Sequence, residues 1–289
     1  MKILVTGATG KLGTKVVDSL LKTVPASQVI VSVRHPDKAE GFKNQGVEVR
    51  QGDFDQPESL ASAFAGVDRL LIISTDGDNE TRIRQHANAV AAAQKAQVKF
   101  IAYTSVGNAS SNPLQLAQVH RATEAAIIKT GIPYSFLRNN WYLENETGSI
   151  QGVLAGAPWV TAAGTGKVGW AAKQDYADAA AAVLSGKGHE NTIYELSGKP
   201  MTQEELAGIL GDVSGKEVMV KQVDSAAYAE VMKGAGLPDF VVNMLVEMQQ
   251  SISKGALDIE SSDFEKLLGR PVTPISKALA EIVSSIRNA

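Results

Sequence analysis

A doubly wound, parallel α/β sheet with a smaller, mostly helical C-terminal lobe is the fold class this sequence predicts. Three observations predict it: short Val/Ile/Leu-rich runs at intervals, apolar residues at helical spacing between them, and a glycine-rich turn directly after the first run. The runs are residues 2–6, 28–33, 47–51, 69–74, 99–104 and 134–137. Between the first two, Leu12, Val16, Val17, Leu20 and Leu21 recur along one helix face, and residues 80–97 read as a second, Ala-rich helix. Strands alternating with helices imply parallel pairing, and strands apolar on both faces imply helices on both sides of the sheet. Right-handed crossovers then wind the sheet in two directions.

The rhythm breaks after Arg138. Residues 139–173 read as irregular, 175–185 as a helix, and 192–196 as a strand returning to the sheet. Helices are expected over 202–213, 225–234, 239–253 and 274–287. The first of these opens on Thr202 with Glu205 three residues on, a capping box. The expected division is a first domain of residues 1–150, to which 175–197 returns, and a smaller lobe of 151–174 and 198–289.

Composition narrows the function classes. The 289 residues are 44% hydrophobic and 20% charged, ordinary for a globular protein with a sizeable core. The absence of cysteine excludes disulfides, thiolate nucleophiles and cysteine metal ligands. A net charge of -3 carries no nucleic-acid footprint. No apolar run is long enough to span a bilayer and no signal peptide precedes the first strand, so a cytoplasmic protein is expected. His35, His86, His120 and His189 are scattered, with no spacing that suits a metal, and neither a Gly-x-Ser-x-Gly elbow nor a Walker loop is present.

The chemistry starts at the glycine turn. Gly7-Ala8-Thr9-Gly10-Lys11-Leu12-Gly13 follows the first strand and opens the first helix. One glycine permits the tight turn, one lets backbone approach a pyrophosphate, and one lets helix and strand pack closely. The helix N–H groups then face the phosphates of a dinucleotide. Arg34, at the end of the second strand, stands where an NAD-binding chain would place a carboxylate for the ribose hydroxyls. Its guanidinium suits the 2′-phosphate of NADP instead, although Asp37 nearby could still serve a ribose. Ser74, Thr75 and Asp76 follow the fourth strand and Thr104 the fifth, at the carboxyl edge where such ligands bind.

The Gly-x-x-Gly-x-x-Gly spacing is accompanied by Arg34-His35-Pro36, Gly52-Asp53, residues 98–105, Arg138-Asn139-Asn140-Trp141-Tyr142, Gly164-Thr165-Gly166-Lys167 and Asp175-Tyr176. Together these resemble the NmrA-like group of atypical short-chain dehydrogenases/reductases over nearly the whole chain, and within it the bacterial quinone-oxidoreductase branch. The resemblance implies a Rossmann-type fold and an NADPH-dependent hydride transfer to a quinone. It also implies site residues. Asp53 would bond the adenine, or else cap a turn. Residues Arg138 to Leu143, that is Arg138, Asn139, Asn140, Trp141, Tyr142 and Leu143, would lie beside the nicotinamide. Asn139 and Asn140 would then hold a carboxamide or quinone carbonyl. Trp141 and Tyr142 would offer an aromatic face to a planar substrate, or pack the hinge between lobes. Lys173 would reach the cofactor or stay solvated.

One departure matters. Short-chain reductases use Tyr-x-x-x-Lys on the helix after the fifth strand, whereas this chain has His120 and Glu124 at those places. A carboxylate four residues from a histidine shares its helix face and could charge the imidazole, or His120 could merely shape the pocket. A ketone reduced by hydride leaves a basic alkoxide that needs an acid, but a quinone leaves a delocalised anion that water can protonate. The missing pair therefore favours a quinone over an alcohol or ketone. The same absence leaves open a non-catalytic NADP(H)-binding redox sensor, or a reductase of another carbonyl or imine compound. A homo-oligomer is also left open.

Overall fold

The computed structural model describes residues 1–288. Its centre is a seven-stranded sheet built from β1 (Ile3–Thr6), β2 (Val29–Val33), β3 (Glu48–Gln51), β4 (Arg69–Ile72), β5 (Phe100–Val106), β6 (Tyr134–Asn139) and a returning strand, Thr192–Leu196. The spatial order runs from the returning strand through β6, β5, β4, β1 and β2 to β3, and every neighbouring pair is parallel. The strand order reverses at β1, so a crevice opens at the carboxyl ends of β1 and β4.

Alternation along the strands divides the core. Ile3, Val5, Val29, Val31 and Leu71 face helix α1 (Lys11–Leu21) and the Lys173–Ser185 helix. Leu4, Ile30, Leu70, Ile72 and Ile101 face the Pro57–Ala63, Asn79–Lys95 and Ala117–Lys129 helices. A third cluster gathers Trp159, Trp170, Leu206, Leu210, Ile252 and Leu279 from the C-terminal part. Each cluster removes large apolar side chains from water, worth about 1.5–3 kcal/mol apiece before entropy is subtracted.

Two expectations are corrected. β5 and β6 run past the apolar stretches that revealed them, so Thr104, Ser105, Arg138 and Asn139 lie in strands instead of after them. Polar side chains are tolerated there because they find buried partners. Residues 139–173 are also less irregular than their composition suggests. They hold the Thr147–Leu154 helix and two-residue strands, of which Trp141–Tyr142 pairs with Trp170–Ala171. The helices Pro57–Ala63 and Asp263–Leu268 escaped the periodicity because each has only about two turns.

The Gln203–Ser214 helix opens as its sequence requires. Thr202 Oγ1 accepts from the Glu205 N–H (3.1 Å) and Glu205 Oε2 accepts from the Thr202 N–H (2.7 Å). Replacing Thr202 with Ala should cost about 1 kcal/mol in urea unfolding. An unchanged midpoint would mean that packing alone holds this end.

Candidate cofactor and active site

The glycine turn is shaped for a ligand. Gly7 sits at φ 61°, the left-handed region that glycine enters freely. A Cβ at Gly13 would run into the Gly7 carbonyl and come within 2.7 Å of Ala8 Cα, so only glycine lets α1 sit this close to the strand. The N-cap of α1 is Gly10, which supplies no side-chain hydrogen bond, and the first turn carries no acid. The first N–H groups therefore remain available for an anion, and the helix dipole favours one.

Around this turn the strand ends are stitched together. The Ile73 N–H donates to Thr6 Oγ1 (3.0 Å) and the Ser74 N–H to Thr104 Oγ1 (2.9 Å), which fixes the edge of β1, β4 and β5. Thr104 is thus a positioning residue for that edge. Arg34 is exposed beyond β2. Asp53 accepts the Asp55 N–H (3.0 Å), which is the turn-capping alternative. Thr75 donates its N–H to His86 Nε2 (3.0 Å), so that nitrogen is unprotonated and His86 is neutral. Burial and the Arg82 charge bring its pKa down to about 4.

His120 and Glu124 do not pair. Glu124 takes two bonds from Arg138, Nε to Oε1 (3.0 Å) and Nη2 to Oε2 (2.7 Å), and one from the Ser105 hydroxyl (2.6 Å). Arg138 also donates to Glu195 (3.0 Å) and Ser110 (3.0 Å). Burial alone would lower the Arg138 pKa, but these carboxylates hold it above its ordinary value. Its guanidinium is engaged by partners inside the protein. His120 bonds the Tyr103 hydroxyl through Nδ1 (2.9 Å) instead. Burial, then the charges of Arg82 and His86, lower its pKa to about 3. Glu124 is thus not free to charge the imidazole, whose surroundings favour the neutral form; of the two alternatives, shaping the pocket is the one this geometry suits.

The segment after β6 divides between two duties. Asn139 donates to the Tyr142 hydroxyl (2.9 Å), and its own Oδ1 is buried without a donor. Lys173 Nζ stands 5.0 Å from the centre of the Tyr142 ring. Lys173 is buried rather than solvated, and its pKa is lowered first by that burial, then by Lys11 and Lys15 of α1, while Glu144 opposes them. Asn139, Tyr142 and Lys173 thus gather beside the glycine turn. Their neighbours are structural. Asn140 donates to Ser197 Oγ (2.9 Å) and the Leu257 carbonyl (3.0 Å), tying in the C-terminal part. The Trp141 indole is held by Glu146 (3.1 Å), which also holds Trp170 (3.0 Å), and the Leu143 side chain is fully buried in the C-terminal cluster. Asn140, Trp141 and Leu143 thus spend these side-chain groups on contacts inside the protein.

Sequence reasoning missed Arg82, His86 and Tyr103. Arg82 and His86 are four residues apart on one helix face, a spacing that could have revealed them. The residues present fit a dinucleotide: an uncapped helix N-terminus, three lysines around it, and the orphaned Asn139 carbonyl oxygen. No described group of His, Asp and Glu could hold a metal ion, and no described helix is long and apolar enough to cross a membrane.

The family model of the NmrA-like family matches residues 1–268. Quinone oxidoreductase 2 of Escherichia coli is 43% identical over 281 residues, 97% of this chain and 98% of that protein. The crystal structure of E. coli NADPH-dependent quinone oxidoreductase QOR2 complexed with NADPH superposes with a TM-score of 0.93 at 43% identity, covering 97% of this chain and 99% of that one. The Citrobacter sp. triphenylmethane reductase complexed with NADP(H) superposes at 0.94 with 45% identity, covering 97% and 100%.

The Arg138–Glu124 pair carries a test of its own. Both side chains are about nine-tenths buried (9% and 10% exposed). Arg138→Met would leave Glu124 charged and without its cation, which should lower stability by about 3–5 kcal/mol in urea unfolding. A loss under about 1 kcal/mol would show that Glu124 does not depend on Arg138.

Proposed function

The chain belongs to the NmrA-like family, and on that premise we propose that it is an NADPH-dependent oxidoreductase that transfers hydride to a quinone. The observation that carries this reading is the joint absence of a charged acid and presence of a built dinucleotide cradle. His120 is neutral, Glu124 is engaged by Arg138, and the glycine turn offers free N–H groups to a pyrophosphate. When bound, the reduced nicotinamide supplies the hydride. The chain's own residues do the rest. Gly7 to Gly13 hold the pyrophosphate through the backbone, with Lys11 and Lys173 adding charge. Arg34 takes the 2′-phosphate. Ser74, Thr75 and Asp76 line the path from adenosine to nicotinamide, and Asp53 closes the adenine end. Asn139 offers its free carbonyl oxygen to the carboxamide or to the acceptor, and Tyr142 covers one flank of the acceptor.

Residues 1–150 with 175–197 are assigned to the cofactor, and 151–174 with 198–289 to the acceptor side. The protein would act in the cytoplasm, on a small molecule. A second reading has one observation behind it: the likeness to a triphenylmethane reductase favours a conjugated cation as acceptor. Hydride added to such a cation gives a neutral product and again calls for no acid from the protein.

NADPH absorbance followed with a panel of quinones, ketones and triarylmethane dyes is the direct test. Tight NADPH binding with no oxidation by any of them would favour a sensor and overturn the proposal. Arg34→Ala should weaken NADPH binding about 10- to 100-fold, and NADH binding far less, as loss of a charge-assisted phosphate contact requires. Equal losses for both would remove Arg34 from that role. His120→Ala should lower quinone turnover only modestly, whereas Asn139→Ala should lower it more. A drop of about 10²–10⁴-fold for His120→Ala at unchanged NADPH affinity would mark an essential acid and point to carbonyl reduction.

A further inference from the structure

The Asn79–Lys95 helix delivers a cation to the carboxyl edge of the sheet. Arg82, in its first turn, donates from Nη2 to Ser74 Oγ (2.8 Å), while Nε is buried with no acceptor. Arg82 makes no ion pair among the described residues, and the carboxylate whose charge acts on it, Asp76, is exposed on the loop after β4. Burial lowers its pKa. The other groups around it carry no charge at neutral pH. His86 and His120 are neutral imidazoles, and burial raises the Tyr103 phenol above its ordinary range. Glu124, the next carboxylate, is bound to Arg138.

A cation half-removed from water beside neutral dipoles, with no carboxylate in contact and only exposed Asp76 acting on it, is an unfavourable arrangement that an incoming anion would relieve. The place is significant. Ser74, the partner of Arg82, follows β4 at the topological switch, and His120, whose titration Arg82 depresses, occupies the helix position where short-chain reductases keep their acid. A positive charge there, fixed before reaction, meets negative charge that develops on an acceptor.

We propose that Arg82 holds the negative charge that hydride transfer creates on the acceptor, and so favours acceptors that become anionic over those that become neutral. This rests on the quinone-reductase reading. A quinone takes up hydride, two electrons and one proton, and becomes a hydroquinone monoanion while the reduced dinucleotide is oxidised by the same two electrons. Arg82 pairs with the resulting oxyanion, and water delivers the second proton. A triarylmethane cation takes hydride at carbon and becomes neutral, so it gains nothing from Arg82.

The test has two arms. In the first, no turnover occurs: the protein saturated with NADP⁺ is titrated with 4-nitrophenol, whose phenolate absorbs visible light. The unmodified protein should bind the phenolate and lower the phenol's pKa, Arg82→Met should lose that preference, and Arg82→Lys should keep part of it. In the second arm, single-turnover rates are compared for a quinone and for a triarylmethane cation. Arg82→Met should slow the quinone by about 10²–10³-fold, the range for removing one preorganised oxyanion donor, and leave the dye rate unchanged or faster. The dye thus controls for folding and cofactor binding. No phenolate binding by the unmodified protein, equal phenolate binding by Arg82→Met, or equal losses for quinone and dye would overturn the proposal. So would a loss of NADPH affinity in Arg82→Met large enough to account for the rates. Failure of the underlying reading is visible separately, as an unmodified protein inert toward quinones.

Discussion

The carboxyl edge of this sheet is organised by one buried ion pair. Arg138 on β6 and Glu124 on the Ala117–Lys129 helix lie within 2.7 Å, and the same guanidinium reaches Glu195 on the returning strand and Ser110 after β5. Ser105 on β5 completes the set by donating to Glu124. Three strand ends and a helix are thereby held in one register. A buried pair of this kind contributes little net stability compared with apolar packing, but it is intolerant of losing either member. Its value here is geometric, because the strand ends it holds carry Thr104 and Asn139.

The pair also decides the chemistry by what it withholds. Glu124 stands one turn from His120 and, left free, would stabilise an imidazolium. With both carboxylate oxygens taken, His120 is left to burial and to the field of Arg82, and both oppose protonation. A neutral imidazole bonded to a phenol is a poor source of protons near neutral pH. The position that supplies acid in a Tyr-Lys enzyme thus holds an imidazole whose surroundings favour its neutral form, which suits the proposed acceptor, one that takes its proton from solvent.

The legibility of these features in the sequence followed their range. The glycine turn and the capping box at Thr202 were readable because each rests on neighbours within a few residues, and the strand rhythm was readable because burial on both faces leaves an apolar signature. The ends of β5 and β6 were not, since Ser105, Arg138 and Asn139 interrupt that signature and become buried only through partners far along the chain. The same holds for the contacts of Asn140 with Ser197 and Leu257, which lie 57 and 117 residues further along the chain. Arg82 was obscured for a different reason. An arginine on an amphipathic helix ordinarily reads as a solvated charge, and only the fold shows that its Nε is enclosed and that no described carboxylate forms an ion pair with it.

Charge placement across the crevice then follows one logic. On the α1 side, Lys11, Lys15 and Lys173 surround an uncapped helix N-terminus, a setting for fixed phosphate charge. On the opposite side, Arg82 stands among neutral Tyr103, His86 and His120. The two positive regions have different neighbours because they meet different anions. A pyrophosphate is charged before and after reaction and is served by backbone N–H groups and by lysines that range from exposed Lys11 to buried Lys173. A hydroquinone anion exists only once hydride has moved, so it is best served by a single cation in a low-dielectric setting, where its field is least screened. Neutral imidazoles suit that setting better than charged ones: a protonated His120 would raise the local positive potential before reaction and would add a second buried cation with no partner. Keeping both histidines neutral leaves Arg82 as the one cation on that wall, with exposed Asp76 the carboxylate that acts on it from the β4 loop.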